Sequence, residues 1–109
     1  MTNASGYAST ALGRYAQATG SETFAAGYLA NAMGQNSVAL GNSTMARGEN
    51  STAMGRSTVS GGTFSTATGY GTNAKGYSSF VAGLFNDSLL VNDEAAFTGT
   101  TPIFILGNG

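Results

Sequence analysis

The sequence predicts an all-β chain wound as a parallel β-roll of fourteen-residue coils, with two short strands to each coil. Three observations predict it. Glycine stands at 6, 13, 20, 27, 34, 41, 48, 55, 62, 69, 76 and 83, every seventh residue without a miss. Two places before each of these glycines the residue is alanine in ten of twelve cases, Ser60 and Val81 being the exceptions, and four places before it is only Ser, Thr or Ala. Within a unit such as Ser37-Val38-Ala39-Leu40-Gly41, alternate residues point to opposite sides, as along a strand. A repeat this strict fixes the fold class before any other argument begins.

A seven-residue period also suggests a coiled coil, but that fold needs large apolar residues at two heptad positions. Here the fixed positions are Gly, Ala and Ser/Thr, and a glycine every two turns costs a helix roughly 1 kcal/mol each time. The unit is therefore a strand of about five residues. Two residues follow each glycine, such as Asn42-Ser43, Glu49-Asn50 and Arg56-Ser57, and a permissive glycine with two residues suits a tight corner. Strand and corner, twice over, make one coil, and stacked coils pair each strand with its equivalent about 4.8 Å above and below. The twelve units predict about six coils and roughly 25–30 Å of stack at that spacing.

The small residues face into the roll, so Ala11, Ala25, Ser37, Ala39, Ser51, Ala53 and Ala67 are its expected interior. The two strand layers then lie close together, with no room for a wide core. The outward residues divide when alternate units are compared. One class reads Thr10/Leu12, Phe24/Ala26, Val38/Leu40, Thr52/Met54, Thr66/Thr68 and Phe80/Ala82, an apolar stripe down one face. The other reads Asn3/Ser5, Gln17/Thr19, Asn31/Met33, Met45/Arg47, Val59/Gly61 and Asn73/Lys75, a mixed and polar face. A thin roll filled with Ala and Ser buries little apolar surface by itself, and a contiguous exposed apolar face usually marks an interface. An oligomer is expected, with repetition along the roll and cyclic symmetry around an axis.

Composition narrows the function classes. Charged residues make up 8% of the 109-residue chain and the formal net charge is −1. The basic residues Arg14, Arg47, Arg56 and Lys75 are scattered, which excludes phosphate-driven nucleic-acid binding. The hydrophobic share of 41% argues against disorder, and periodic glycines argue against a flexible linker. No apolar run is long enough to cross a bilayer as a helix, so this segment is not expected to insert directly into a membrane. There is neither His nor Cys, so the usual catalytic triads and zinc sites have no members. Neither a catalytic residue nor a cofactor or metal ligand is assigned, and the chain is not expected to be an enzyme. Asp87, Asp93 and Glu94 are the acidic residues nearest to a calcium set, but the repeats lack the aspartate of calcium-binding β-rolls. The glycines of Gly69-Tyr70-Gly71 follow from the repeat and lack the rest of a phosphate loop.

Asn36-Ser37-Val38-Ala39-Leu40-Gly41-Asn42-Ser43, Asn50-Ser51-Thr52-Ala53-Met54-Gly55 and Ser9-Thr10-Ala11-Leu12-Gly13 resemble the head domain of the YadA-like trimeric autotransporter adhesins. The resemblance covers residues 2 to about 83, where the full motif recurs at fixed spacing. It implies a left-handed roll, three chains packed side by side, and the apolar strand turned to the three-fold axis. On that reading Leu12, Phe24, Val38, Leu40, Met54 and Phe80 form the trimer interface. It also implies an extracellular place on a bacterial surface, anchored in the outer membrane through parts of a parent protein beyond this chain. The expected partners are an extracellular matrix protein, a cell-surface receptor or a glycan. The candidate ligand face is Gln17, Asn31, Met45, Arg47, Asn73 and Lys75, together with Tyr28 and Tyr70.

Two departures stand out. Val59-Ser60-Gly61-Gly62 breaks the alanine position and adds a glycine, so a local irregularity of that strand is expected. The corners carry Tyr7, Tyr15, Tyr28, Phe64, Tyr70 and Tyr77, with ladders along the stack as one reading and exposed contact sites as the other. After Gly83 the beat stops. Asn92-Asp93-Glu94 reads as a turn, and Pro102-Ile103-Phe104-Ile105-Leu106 as a short strand ended by Gly107-Asn108-Gly109. The chain therefore divides into repeats at 1–83 and a closing segment at 84–109, expected to cap the last open edge. It reads as a fragment of a longer fibre. Beside the adhesin head stand a tail-fibre or injection-system segment reading a receptor, a structural spacer, and an ice-binding face. The last needs regular Thr ranks, and Phe24 and Val38 interrupt Thr10, Thr52 and Thr66.

Overall fold

In the computed structural model, residues 1–85 and the strand 104–108 are described. They form thirteen strands in two parallel sheets, with no helix among them. One sheet holds the two-residue strands β1 (Asn3–Ala4), β3 (Gln17–Ala18), β5 (Asn31–Ala32), β7 (Met45–Ala46), β9 (Val59–Ser60) and β11 (Asn73–Ala74), side by side in that order. The other holds β2 (Thr10–Leu12), β4 (Phe24–Tyr28), β6 (Val38–Asn42), β8 (Thr52–Arg56), β10 (Thr66–Tyr70), β12 (Phe80–Leu84) and β13 (Phe104–Asn108), again in chain order. The chain alternates between the sheets, so each full turn takes fourteen residues: Val38 pairs with Phe24 below and Thr52 above.

The two halves of a coil are not alike. The strands expected to be equal are five residues long in one sheet from β4 onward and two in the other. The longer ones run through their glycine and one residue beyond, where Gly27, Gly41, Gly55, Gly69 and Gly83 take φ between 113° and 128° and let pairing continue. On the other side Gly34, Gly62 and Gly76 instead open a tight turn, closed by the N–H of Ser37, Ser65 and Ser79 on their carbonyls at 3.2 Å.

The corners also differ from expectation. The second residue after each repeat glycine also lies in the left-handed region: Ala8, Tyr15, Glu22, Leu29, Asn36, Ser43, Asn50, Ser57, Phe64, Ser78 and Phe85 at φ 53–62°, and Gly71 at 70°. Stacking explains why they stay there. The corner N–H groups of Leu29, Ser43, Ser57, Gly71 and Phe85 donate to the carbonyls of Arg14, Tyr28, Asn42, Arg56 and Tyr70 one coil below. On the opposite edge those of Glu22, Asn36, Asn50, Phe64 and Ser78 donate to Tyr7, Ser21, Gln35, Glu49 and Thr63. Each corner is therefore held by its neighbour, and the left-handed strain is offset by a backbone bond that a straight chain would lack.

Between the sheets lies a core one side chain deep. Ala11, Ala25, Ala39, Ala53, Ala67 and Val81 stack in register on one wall. Ala4, Ala18, Ala32, Ala46, Ser60 and Ala74 stack on the other. Ala25, Ala39, Ala53, Ala67, Ser37 and Ser51 are fully buried, and Ala11 is half-buried near the open end. Ser60 does not distort its strand: β9 stays in register with β7 and β11. The hydroxyl of Ser60 lies 2.7 Å from that of Ser65 and donates to the Ser65 carbonyl at 2.8 Å, so the interior satisfies the polar group that replaces alanine.

The tail rejoins the roll. β13 pairs parallel with β12, Phe104 opposite Phe80 and Gly107 opposite Gly83. Gly107 therefore does not end the strand, as its position in the sequence suggested, but occupies the repeat-glycine position one rung further. The turn expected at Asn92-Asp93-Glu94 and the acidic residues Asp87, Asp93 and Glu94 lie outside the described residues.

Candidate binding and assembly faces

The roll presents two broad faces and two edges. On the longer-stranded face, Thr10, Phe24, Val38, Thr52, Thr66 and Phe80 form one file, and Leu12, Ala26, Leu40, Met54, Thr68 and Ala82 the file beside it. The register brings Leu12, Phe24, Val38, Leu40, Met54 and Phe80 onto one surface. Leu12 is 55% exposed, and Phe24 and Met54 are each 37% exposed. These are large apolar side chains that the described residues of the chain leave exposed. The same register shows Thr10 separated from Thr52 by Phe24 and Val38, so the face carries no regular threonine rank.

The short-stranded face is different in kind. Gln17, Asn31, Met45 and Asn73 share one file with Asn3 and Val59. Arg47 and Lys75 lie two residues further along the same face, and an Arg47 Nη1 donor lies 3.9 Å from the Met45 sulfur. These six candidates are therefore brought together. Tyr28 and Tyr70 are not: they close β4 and β10 at the roll's edge, away from that polar face.

That edge carries residues that the strand-by-strand reading missed. The Arg14 guanidinium carbon lies 5.0 Å from the centroid of the Tyr28 ring and 5.8 Å from that of Tyr15, and that of Arg56 lies 5.3 Å from the Tyr70 ring. Tyr15 meets Tyr28 edge-on at 6.0 Å, and Tyr70 meets Phe85 at 4.8 Å. On the other edge Phe64 and Tyr77 stand perpendicular at 5.5 Å. The aromatics thus form pairs between successive coils rather than one continuous ladder. The signal was present: Arg14, Tyr28, Arg56 and Tyr70 each follow a repeat glycine directly, at multiples of fourteen residues.

The matching family model is the YadA head domain repeat, in two-copy matches over residues 4–30, 18–44, 32–58 and 46–72. Successive matches step by fourteen residues, the length of one coil in the structure. No curated protein matches the chain. Together the matches span 4–72, more than half of the 109 residues, and their step is the coil itself: the chain belongs to the YadA head domain repeat family.

Proposed function

We propose that the chain is the non-catalytic head of a homotrimeric cell-surface adhesin. The observation that carries the assembly is the apolar surface of the longer-stranded face, where Leu12, Phe24, Val38, Leu40 and Met54 stand on successive rungs and Phe80 follows beyond the Thr66/Thr68 rung, with Leu12, Phe24 and Met54 exposed. Packing three such faces around an axis parallel to the stack removes this surface from water, at roughly 25 cal/mol for each Å² of apolar area. Closed cyclic symmetry presents every coil of one protomer to the same coil of its neighbours, so a repeated stripe suits this arrangement. Membership in the head-repeat family supports the adhesive role and the extracellular place, with anchoring to the outer membrane left to other parts of the parent protein.

The polar face then points away from the axis. Gln17, Asn31, Met45, Arg47, Asn73 and Lys75 would meet a matrix protein, a cell-surface receptor or a glycan there. Three copies would bind multivalently, raising avidity without any new contact. Static light scattering across a dilution series tests the assembly: a mass three times the 10.9 kDa chain is expected, and a monomer overturns it. Binding of the trimer to immobilised matrix proteins, glycans and whole cells tests the role. A trimer that binds none of them is a spacer.

A further inference from the structure

The charged corners of the roll are sorted by edge. Arg14 and Arg56 lie on one edge, Arg14 in the corner that follows β2 and Arg56 as the last residue of β8. Glu22 and Glu49 lie on the opposite edge, in the corners that precede β4 and β8. All four are exposed, and none makes an ion pair with another described residue of its own chain. Both arginines stack on tyrosine rings. A stacked guanidinium keeps its in-plane N–H donors free for a carboxylate, so the rings hold the two cations in place without neutralising them.

Their heights along the stack match. Arg14 and Arg56 are 42 residues apart, which is three coils, and the glycines of the Glu22 and Glu49 corners, Gly20 and Gly48, are 28 residues apart, which is two. The acidic pair is nested inside the basic pair. Glu22 sits half a coil past Arg14, and Glu49 half a coil before Arg56. Half a coil is about 2.4 Å of stack, well within the reach of an arginine side chain.

We infer that neighbouring protomers are joined edge to edge, with Arg14 and Arg56 of one chain paired to Glu22 and Glu49 of the next. The inference rests on the proposed trimer with its apolar face inward. In that arrangement the two edges of each roll lie to its sides, and a closed ring must bring one kind of edge against the other, because the contact is head-to-tail. Closure also forbids any rise from one protomer to the next, so residues of equal height on opposite edges become neighbours. Exposed aromatics on both edges, Tyr15, Tyr28 and Tyr70 on one and Tyr7 and Phe64 on the other, would be covered along the same seam. The pairs favour one register of the assembly: slipping one protomer by a coil leaves one pair about 2.4 Å apart in height but carries the other to about 7.2 Å, so one of the two pairs is left unmatched.

The chain has no cysteine, which makes the test direct. In the full chain, Glu49→Cys with Arg56→Cys places one thiol on each edge at nearly equal height. A short bis-maleimide is expected to join these variants into covalent trimers on a denaturing gel. Arg14→Cys with Glu49→Cys, two and a half coils apart or about 12 Å, is expected to give none. Charge reversal supplies a second readout. Arg56→Glu is expected to raise the concentration at which the trimer half-dissociates by about tenfold, and adding Glu49→Arg to restore it. The difference should vanish near about 1 M salt, where the screening length is about 3 Å. If the wild type is a trimer but the matched cysteine variant fails to cross-link, or the mismatched variant cross-links equally, the edge pairing is overturned and the trimer stands. A monomeric wild-type chain overturns both.

Discussion

A methyl group is enough to break this fold at a repeat glycine. Gly41 has φ 123°, and a Cβ there would overlap the carbonyl oxygen of Gly55 in the next coil. Gly48 lacks the unusual φ, yet a Cβ on it would overlap the Gly62 carbonyl in the same way. The glycines are thus kept on both edges for room between coils, and on one edge also for conformation. Gly41→Ala is expected to lose at least about 2 kcal/mol, from left-handed strain together with backbone overlap that side-chain motion cannot relieve. Urea unfolding of the variant against the wild type measures it. The corner residues two places on tell the opposite story. Leu29 and Phe64 adopt φ 58° and 60° without being glycine, because each is bonded to the corner below and points its side chain outward.

The thin interior sets what each strand tolerates. Ala39 lies in register between Ala25 and Ala53, all three fully buried. Ala39→Leu therefore has nowhere to place its added carbons without parting the sheets, and should destabilise by about 1–3 kcal/mol in thermal or denaturant melts. Val81 stands at the equivalent position and is the largest fully buried side chain of the described residues. Its rung is followed by β13 rather than by another repeat of the usual length, so the end of the stack takes a larger residue. Val81→Ala should cost about 1–3 kcal/mol by leaving that space empty. Ser60→Ala is a subtler case, because it restores the repeat's alanine but deletes the bonds to Ser65. A loss of about 1 kcal/mol is expected; a gain in melting temperature would show that the serine is a fault in the repeat rather than a fastening.

The whole molecule is stable only as the sum of neighbouring rungs, as in other quasi-one-dimensional repeats. Little apolar area is buried inside one roll, since the core of the described residues is alanine, serine and threonine apart from Val81. The proposed trimer places the missing burial on the outer file. Leu40→Asp puts three carboxylates beside one axis, and it should convert the trimer to monomers or unfolded chains in light scattering. Lys75→Ala on the polar face should leave the mass unchanged while testing that face for binding. If Leu40→Asp kept the trimeric mass, the longer-stranded face would not be the one turned inward.

The sequence by itself determined the coil length, the two-sheet roll, the alanine interior and the division of outward residues into an apolar and a polar face. It could do so because a repeat protein is governed by nearest-neighbour stacking, and a fixed period specifies every neighbour. Only the tertiary structure decided what depends on how a coil closes. Seven-residue units that look alike in sequence become a long strand on one side and a short strand with a turn on the other. A second left-handed position, two residues past each repeat glycine, is taken mostly by non-glycine residues because hydrogen bonds between corners, rather than local propensity, select it. Gly107 rejoins the beat 24 residues after Gly83, a step no fixed period could reveal. The edges, where Arg14 and Arg56 face away from Glu22 and Glu49, exist only once the chain has turned back on itself, since an edge is a property of the closed coil.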